Sequence, residues 1–157
     1  MSELERWLEN MMNWHQTRKH DQEPSLECLL LATPHTLWLD AVSDEQSEAM
    51  ALWLDGCLRI FKRCHDSQPI KAYQFLQLAS AQLQQLASSN QYELVVKDWA
   101  MKRLQLLVVM SLEFCNQRPE DHWQTESKQL IEAHVRFSQS LAWNESRNND
   151  QGAWIVH

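Results

Sequence analysis

The chain has 157 residues, of which 44% are hydrophobic, and this length and apolar content exclude a fully disordered chain and are typical of one domain. Its two glycines, Gly56 and Gly152, lie too far apart to form either Gly-rich phosphate loop, and they are too few for the tight turns of a multi-stranded antiparallel sheet. The formal net charge of −7 argues against direct nucleic-acid binding, which needs clustered Lys and Arg.

The first two predicted elements lie before residue 43. Ser2 and Glu5 form a capping box, and apolar residues at helical spacing follow it to a predicted helix end near His20. The segment 24–42 is less clear, because the apolar run 26–32 fits either a short helix or a buried strand. We prefer a helix, since no second strand is evident to pair with it.

A third helix is predicted over residues 44–64, after a short helical piece that opens at residues 33–34. Ser43 and Gln46 supply its capping box, and its apolar residues recur at helical spacing. Gly56 lies in its middle, where glycine costs about 1 kcal/mol relative to alanine. The expected reason is the close approach of another helix.

Three further helices are predicted in the second half of the chain. A fourth helix covers residues 69–88, and a fifth covers residues 91–116. Within the fifth helix, residues 104–112 are apolar nearly all round, which predicts burial on every side and a central position in the fold. A sixth helix opens at Pro119, and its apolar stripe continues to Leu141.

The pattern as a whole predicts an all-α fold, a compact bundle of about five to six helices. Residues 1–145 are expected to form a single helical domain, and residues 146–157 a flexible C-terminal tail with an apolar tip. The chain opens on charged residues rather than a secretory signal, and no apolar run approaches the ~18 residues that span a bilayer. We therefore expect a cytoplasmic protein without membrane contact, whose four cysteines are reduced.

No motif assigns a catalytic, cofactor-binding or metal-binding residue. The sequence contains no CxxC, HExxH or GxSxG pattern. Cys57 and Cys64 lie about 10 Å apart on one helix face, which is too far to share a zinc ion. His134 lies on an apolar stripe and is expected to be a core or boundary residue. An active site assembled from distant segments would not be visible in the sequence.

Several of the predicted helices carry an apolar stripe that is wider than the single stripe that neighbouring helices can cover. Either the wide stripes line the core, or some of them meet a partner. The candidate interaction residues extend a stripe, lie off a main face or end the tail: Trp7, Trp14, Phe75, Leu78, Trp143, Trp154 and Ile155.

From this surplus we expect a non-enzymatic intracellular regulatory or adaptor protein that acts through protein–protein contacts. Its expected partners are another protein and a second copy of the chain, in a homodimer. The alternative is a helical ligand-binding domain with an apolar pocket between helices, lined by Trp and Met.

Overall fold

The computed structural model describes residues 2–17, 23–38 and 43–156, and for residues 23, 24 and 143–156 it describes the helical backbone alone. Six α-helices follow one another in these ranges, with a short 3₁₀ helix between the second and the third. Their bounds are α1 Glu3–Thr17, α2 Glu23–Leu31, the 3₁₀ helix His35–Trp38, α3 Asp44–Cys64, α4 Pro69–Ser88, α5 Leu94–Asn116 and α6 Asp121–Val156. Every regular element of the described residues is helical, so the all-α prediction is confirmed.

The segment that the sequence left open between helix and strand is helical. α2 ends at Leu31, and its Leu26 and Leu30 side chains are buried. These two residues are four positions apart and therefore share one face of the helix. The preference for helix over strand in this segment is confirmed.

Two helices begin at the capping boxes that the sequence predicts. Ser43 Oγ accepts a hydrogen bond from the Gln46 backbone at 3.2 Å, and Gln46 Oε1 accepts one from the Ser43 backbone at 2.9 Å. The same pair of bonds joins Ser2 and Glu5, at 3.1 and 3.3 Å. Gln46 Nε2 also donates to the Thr36 carbonyl at 3.2 Å, which ties the start of α3 to the 3₁₀ helix.

Gly56 lies in the middle of α3 because α2 approaches closely there. A Cβ atom at this position would lie 2.8 Å from Leu30 Cδ2 and 3.4 Å from Leu26 Cδ1. The first distance is shorter than a carbon–carbon contact allows, so Leu30 would have to shift if alanine replaced this glycine. The prediction that another helix approaches closely at Gly56 is confirmed.

The chain groups into two compact units, unit 1 (Met1–Met101) and unit 2 (Lys102–His157). In unit 1, α3 and α4 form the most extensive helix pair, and α1 and α2 pack against α3. Both helices carry fully buried side chains: Cys57, Ile60 and Cys64 on α3, and Leu76, Leu83 and Leu86 on α4. An ion pair of 2.5 Å between Lys71 and Glu27 connects α4 to α2.

Unit 2 holds the C-terminal part of α5 and all of α6. Phe114 and Trp123 pack edge to face, with 5.2 Å between ring centroids. The Arg118 guanidinium lies 3.4 Å from the centroid of the Phe114 ring. Ser127 Oγ donates to Asn116 Oδ1 at 3.1 Å. These contacts hold together the two helix ends that flank the turn at residues 117–120.

α5 differs from the prediction in its start and its burial. It begins at Leu94 rather than at residue 91. Leu104 and Leu107 are buried, but Leu106 and Val109 are 57% and 53% exposed, so the expected burial on every side is wrong. The prediction fails because an apolar run goes all the way round a helix, whereas neighbouring helices cover only part of its circumference.

α6 continues to Val156, past the position where a tail was expected to begin. The side chains of residues 143–157 lie outside the described part of the chain. The assignment of residues 1–145 to one domain and of residues 146–157 to a flexible tail with an apolar tip therefore stays a prediction.

Candidate interaction surface

An apolar cleft of about 220 Å³ lies in unit 1, between the first half of α3 and the start of α5. We call it the α3–α5 cleft, and six residues line it: Ser47, Met50, Ala51, Val95, Val96 and Trp99. Five of these side chains are apolar, and Ser47 supplies the one hydroxyl group. The lining can therefore hold an apolar group, and it offers no carboxylate, imidazole, thiol or amine for catalysis.

Leu94 and Val95 are the most exposed large hydrophobic residues of the described chain. Their side chains are 79% and 70% exposed, and Val95 also lines the α3–α5 cleft. Successive side chains of a helix are turned by about 100°, so three apolar residues in a row do not share one face, and here Leu94 and Val95 face solvent. Exposed apolar side chains beside a concave surface are typical of binding sites.

The structure divides the predicted interaction residues between core and surface. Trp7 is 4% exposed, and its indole N–H donates to the Leu29 carbonyl at 2.8 Å. Phe75 is 6% exposed. Both are core residues, which corrects the expectation that they belong to an exposed patch. Leu78 is 40% exposed and Trp14 is half-buried, and neither of them lines the α3–α5 cleft.

Trp143, Trp154 and Ile155 lie outside the residues whose side chains the structure describes. Trp14 is partly covered, since the Arg59 guanidinium lies 5.8 Å from its ring centroid, within the range of a cation–π contact. A role in partner binding stays a prediction for these residues and for Leu78.

Sequence reasoning missed the segment from Leu94 to Trp99 as part of a surface site. The Val95-Val96 pair indicated only a raised strand propensity. A usable signal was the run of three apolar residues directly after the polar stretch 88–93. At this helix start the run leaves Leu94 and Val95 exposed to solvent.

The ionisable groups around His15 form an electrostatic cluster without a nucleophile. His15 Nε2 is buried without a hydrogen-bond partner and lies 3.8 Å from Asp55 Oδ2. The same carboxylate oxygen already accepts a bond of 2.7 Å from Arg59 Nε. Burial lowers the pKa of His15, the Arg59 charge lowers it further, and the Asp55 charge opposes both more weakly.

The thiols of the described residues are mostly shielded. Burial raises the pKa of the Cys57 thiol to about 12, so this sulfur is not a thiolate at neutral pH. Cys64 and Cys115 are buried as well, whereas Cys28 is exposed. Within the described ranges, no group of three or more His, Cys, Asp or Glu side chains is arranged to hold a metal ion. Over the same residues, no helix has the length and hydropathy that crossing a membrane requires.

Comparison of the chain with protein-family models, with curated proteins and with solved structures finds no match in any of the three. The surfaces described above are therefore the basis for a proposed function.

Proposed function

We propose that this chain is a non-enzymatic regulatory or adaptor protein that acts through protein–protein contacts and associates with itself. The observation that carries the proposal is the 70% exposure of Val95, which lines the α3–α5 cleft, together with the 79% exposure of Leu94, its neighbour in the chain. Full burial of such a side chain contributes about 1.5–3 kcal/mol. A few side chains of this kind, seated against a concave apolar surface, account for most of the affinity of many interfaces.

The partner that suits the α3–α5 cleft is a protein with a protruding apolar side chain. A cleft of about 220 Å³ has room for one aromatic or branched aliphatic group. The net charge of −7 disfavours nucleic acid as the partner. We propose the cytoplasm as the compartment, since four free cysteines are typical of a reducing environment.

The experiment is affinity capture with the full chain, followed by quantitative mass spectrometry. Val95→Glu places a charge in the α3–α5 cleft, and Ile70→Glu places the same charge at a 65% exposed position on α4. We expect a partner that is recovered with wild type and with Ile70→Glu, and recovered at least about tenfold less with Val95→Glu, which corresponds to about 1.4 kcal/mol. Equal recovery with all three chains would contradict a role for the cleft.

The alternative function, a ligand-binding domain, is favoured by one observation. The α3–α5 cleft combines Met50 and Trp99 in its lining, as expected for an apolar pocket between helices. Its volume is below the ~300 Å³ of typical ligand pockets but above the ~150 Å³ of a cavity that holds benzene. A single aromatic ring or a short acyl chain fits these limits.

Quenching of tryptophan fluorescence by a heavy-atom ligand distinguishes the ligand-binding alternative from the adaptor proposal. Iodobenzene bound in the α3–α5 cleft would quench Trp99, so titration of wild type should give saturable quenching that Trp99→Phe lacks. Linear, non-saturating quenching of both proteins would remove the ligand-binding alternative and leave the adaptor proposal in place.

A further inference from the structure

The outward side of α5 in unit 2 carries a stripe in which two apolar residues lie between a cation and an anion. The members of this α5 stripe are Lys102, Leu106, Val109 and Glu113, and all four side chains are exposed. At spacings of four, three and four residues, they lie within about 60° of one another around the helix axis. The buried residues of this part of α5 lie roughly 160° away: Leu104, Leu107, Ser111, Phe114 and Cys115.

The two charges of the stripe do not pair with each other. Lys102 and Glu113 are separated by about 16 Å along the axis, since each helical residue rises 1.5 Å. An ammonium group has three N–H donors, so Lys102 can bind a further carboxylate whatever it contacts in its own chain. Each end of the stripe thus presents a charge that an opposite charge on another surface can meet.

The α5 stripe is complementary to a second copy of itself that runs in the opposite direction, because its order is cation, apolar, apolar, anion. Consider a copy of α5 turned end for end about the point midway between residues 107 and 108. Leu106 then faces Val109 of the second copy, and Lys102 faces Glu113 of the second copy. Because the turn is two-fold, each contact occurs twice, as in every isologous dimer interface.

We infer that a second copy of this chain docks on the α5 stripe, by antiparallel packing of α5 against α5 across a two-fold axis. The inference rests on the self-association in the proposed function and names its surface. The apolar centre supplies the attraction, and the charges at both ends fix the register and disfavour parallel pairing, which would place like charges together.

The dimer is expected to be weak. Four side chains per copy cover less than the ~800 Å² per partner of a standard interface, and small interfaces belong to transient complexes. We expect a Kd on the order of 10–100 µM. Sedimentation of the full chain from low micromolar to near-millimolar concentration covers this range.

The first test introduces a charge into the apolar centre. Val109→Glu should weaken dimerisation at least tenfold, because it removes an apolar contact and adds a carboxylate at two places in the interface. Ile131→Glu on α6 is the matched control, since Ile131 is 50% exposed, as against 53% for Val109, and lies outside the stripe. Circular dichroism checks that both variants are folded. Loss of the dimer with Ile131→Glu but not with Val109→Glu would overturn the inference.

The second test exchanges the charges. Lys102→Glu alone and Glu113→Lys alone each create like-charge contacts at both ends, so each should weaken the dimer, most strongly at low salt. An equimolar mixture of the two single variants should form a heterodimer, because each charge then meets its opposite. The double variant Lys102→Glu/Glu113→Lys keeps the net charge of wild type and should restore the dimer.

The outcomes separate this inference from the proposed function. Restoration by the double variant, together with heterodimer formation, supports the α5 stripe as the interface. A wild-type dimer that none of the stripe variants alters overturns the α5 inference and leaves self-association standing on another surface. A chain that stays monomeric at every concentration overturns both the α5 inference and the self-association.

Discussion

Gly56 shows how one residue sets the distance between two helices. Replacing this mid-helix glycine with alanine raises helix propensity, which would stabilise the folded chain by about 1 kcal/mol. Its methyl group, 2.8 Å from Leu30 Cδ2, overpacks a buried contact, at a cost of about 1–3 kcal/mol. We therefore expect Gly56→Ala to lower the free energy of unfolding by about 1 kcal/mol, as measured by urea denaturation.

The same substitution in a Leu30→Ala variant tests whether the contact with Leu30 causes the loss. In a chain that already carries Leu30→Ala, the methyl group of Gly56→Ala enters vacated space. There the same substitution should raise the free energy of unfolding by about 1 kcal/mol, the helix-propensity gain alone. An equal loss in both backgrounds would show that Leu30 is not the group that requires glycine.

His15 makes the stability depend on pH. Its pKa is lower in the folded chain, because burial and Arg59 disfavour its charged form more than Asp55 favours it. Below the unfolded pKa of about 6.5 the unfolded chain therefore binds the proton more readily, so stability rises with pH. The contribution is complete above this value and declines as the pH falls through it towards the folded pKa.

The corresponding measurement is denaturation at a series of pH values. From about pH 7.5 to about pH 5, wild type should lose more unfolding free energy than His15→Gln, which has no proton to bind there. His35→Gln, at an exposed position on the 3₁₀ helix, is the matched control for replacing a histidine with glutamine. A steeper pH dependence in His15→Gln than in wild type would reverse the sign and contradict the explanation.

At the scale of the helices, the caps of α1 and α3 have the same bonds but different burial. Gln46 is 6% exposed and also donates to the Thr36 carbonyl, whereas Glu5 is exposed. We expect Gln46→Ala to cost about 2 kcal/mol, because it removes a cap bond and leaves a carbonyl partly unpaired. Glu5→Ala should cost less than about 1 kcal/mol. Thermal denaturation of the two variants checks this order, and equal losses would contradict it.

The bounds of α3 and α4 could be predicted from sequence because local chemistry sets them. Ser43 caps α3 and Pro69 begins α4, and both helices cover the predicted residues. The choice of helix for α2 was also correct. Burial of α5 was not predictable in the same way, because it depends on which neighbours cover each side of the helix.

The candidate site was largely beyond sequence reasoning. The α3–α5 cleft joins residues 47–51 to residues 95–99, and no local pattern indicates that segments so far apart in the chain meet. The burial of Trp7 could not be predicted for a related reason: its hydrogen-bond acceptor, the Leu29 carbonyl, belongs to another helix. The alternative of a ligand-binding domain with a Trp- and Met-lined apolar pocket stays a prediction, and no pattern in the sequence indicated a position for such a pocket.

At the scale of the whole molecule, the exposed apolar residues are distributed over both units. Leu31 and Ile70 belong to unit 1, and Ile131 and Val135 to unit 2. Single exposed apolar residues are common in proteins and need no partner. The α3–α5 cleft and the α5 stripe differ from them in their surroundings: exposed Val95 lines a concavity, and the two exposed apolar residues of the stripe lie between opposite charges.

The burial of three sulfur atoms makes covalent labelling a measure of how the protein opens. Cys57 and Cys64 are enclosed in unit 1 and Cys115 in unit 2, while Cys28 is exposed. A maleimide should modify Cys28 first and the others only as fast as their surroundings open. Among the described residues unit 2 buries fewer large side chains, so we expect Cys115 to react before the two thiols of unit 1, as followed by mass spectrometry of peptides. One common rate for all three would mean that the two units open in a single cooperative event.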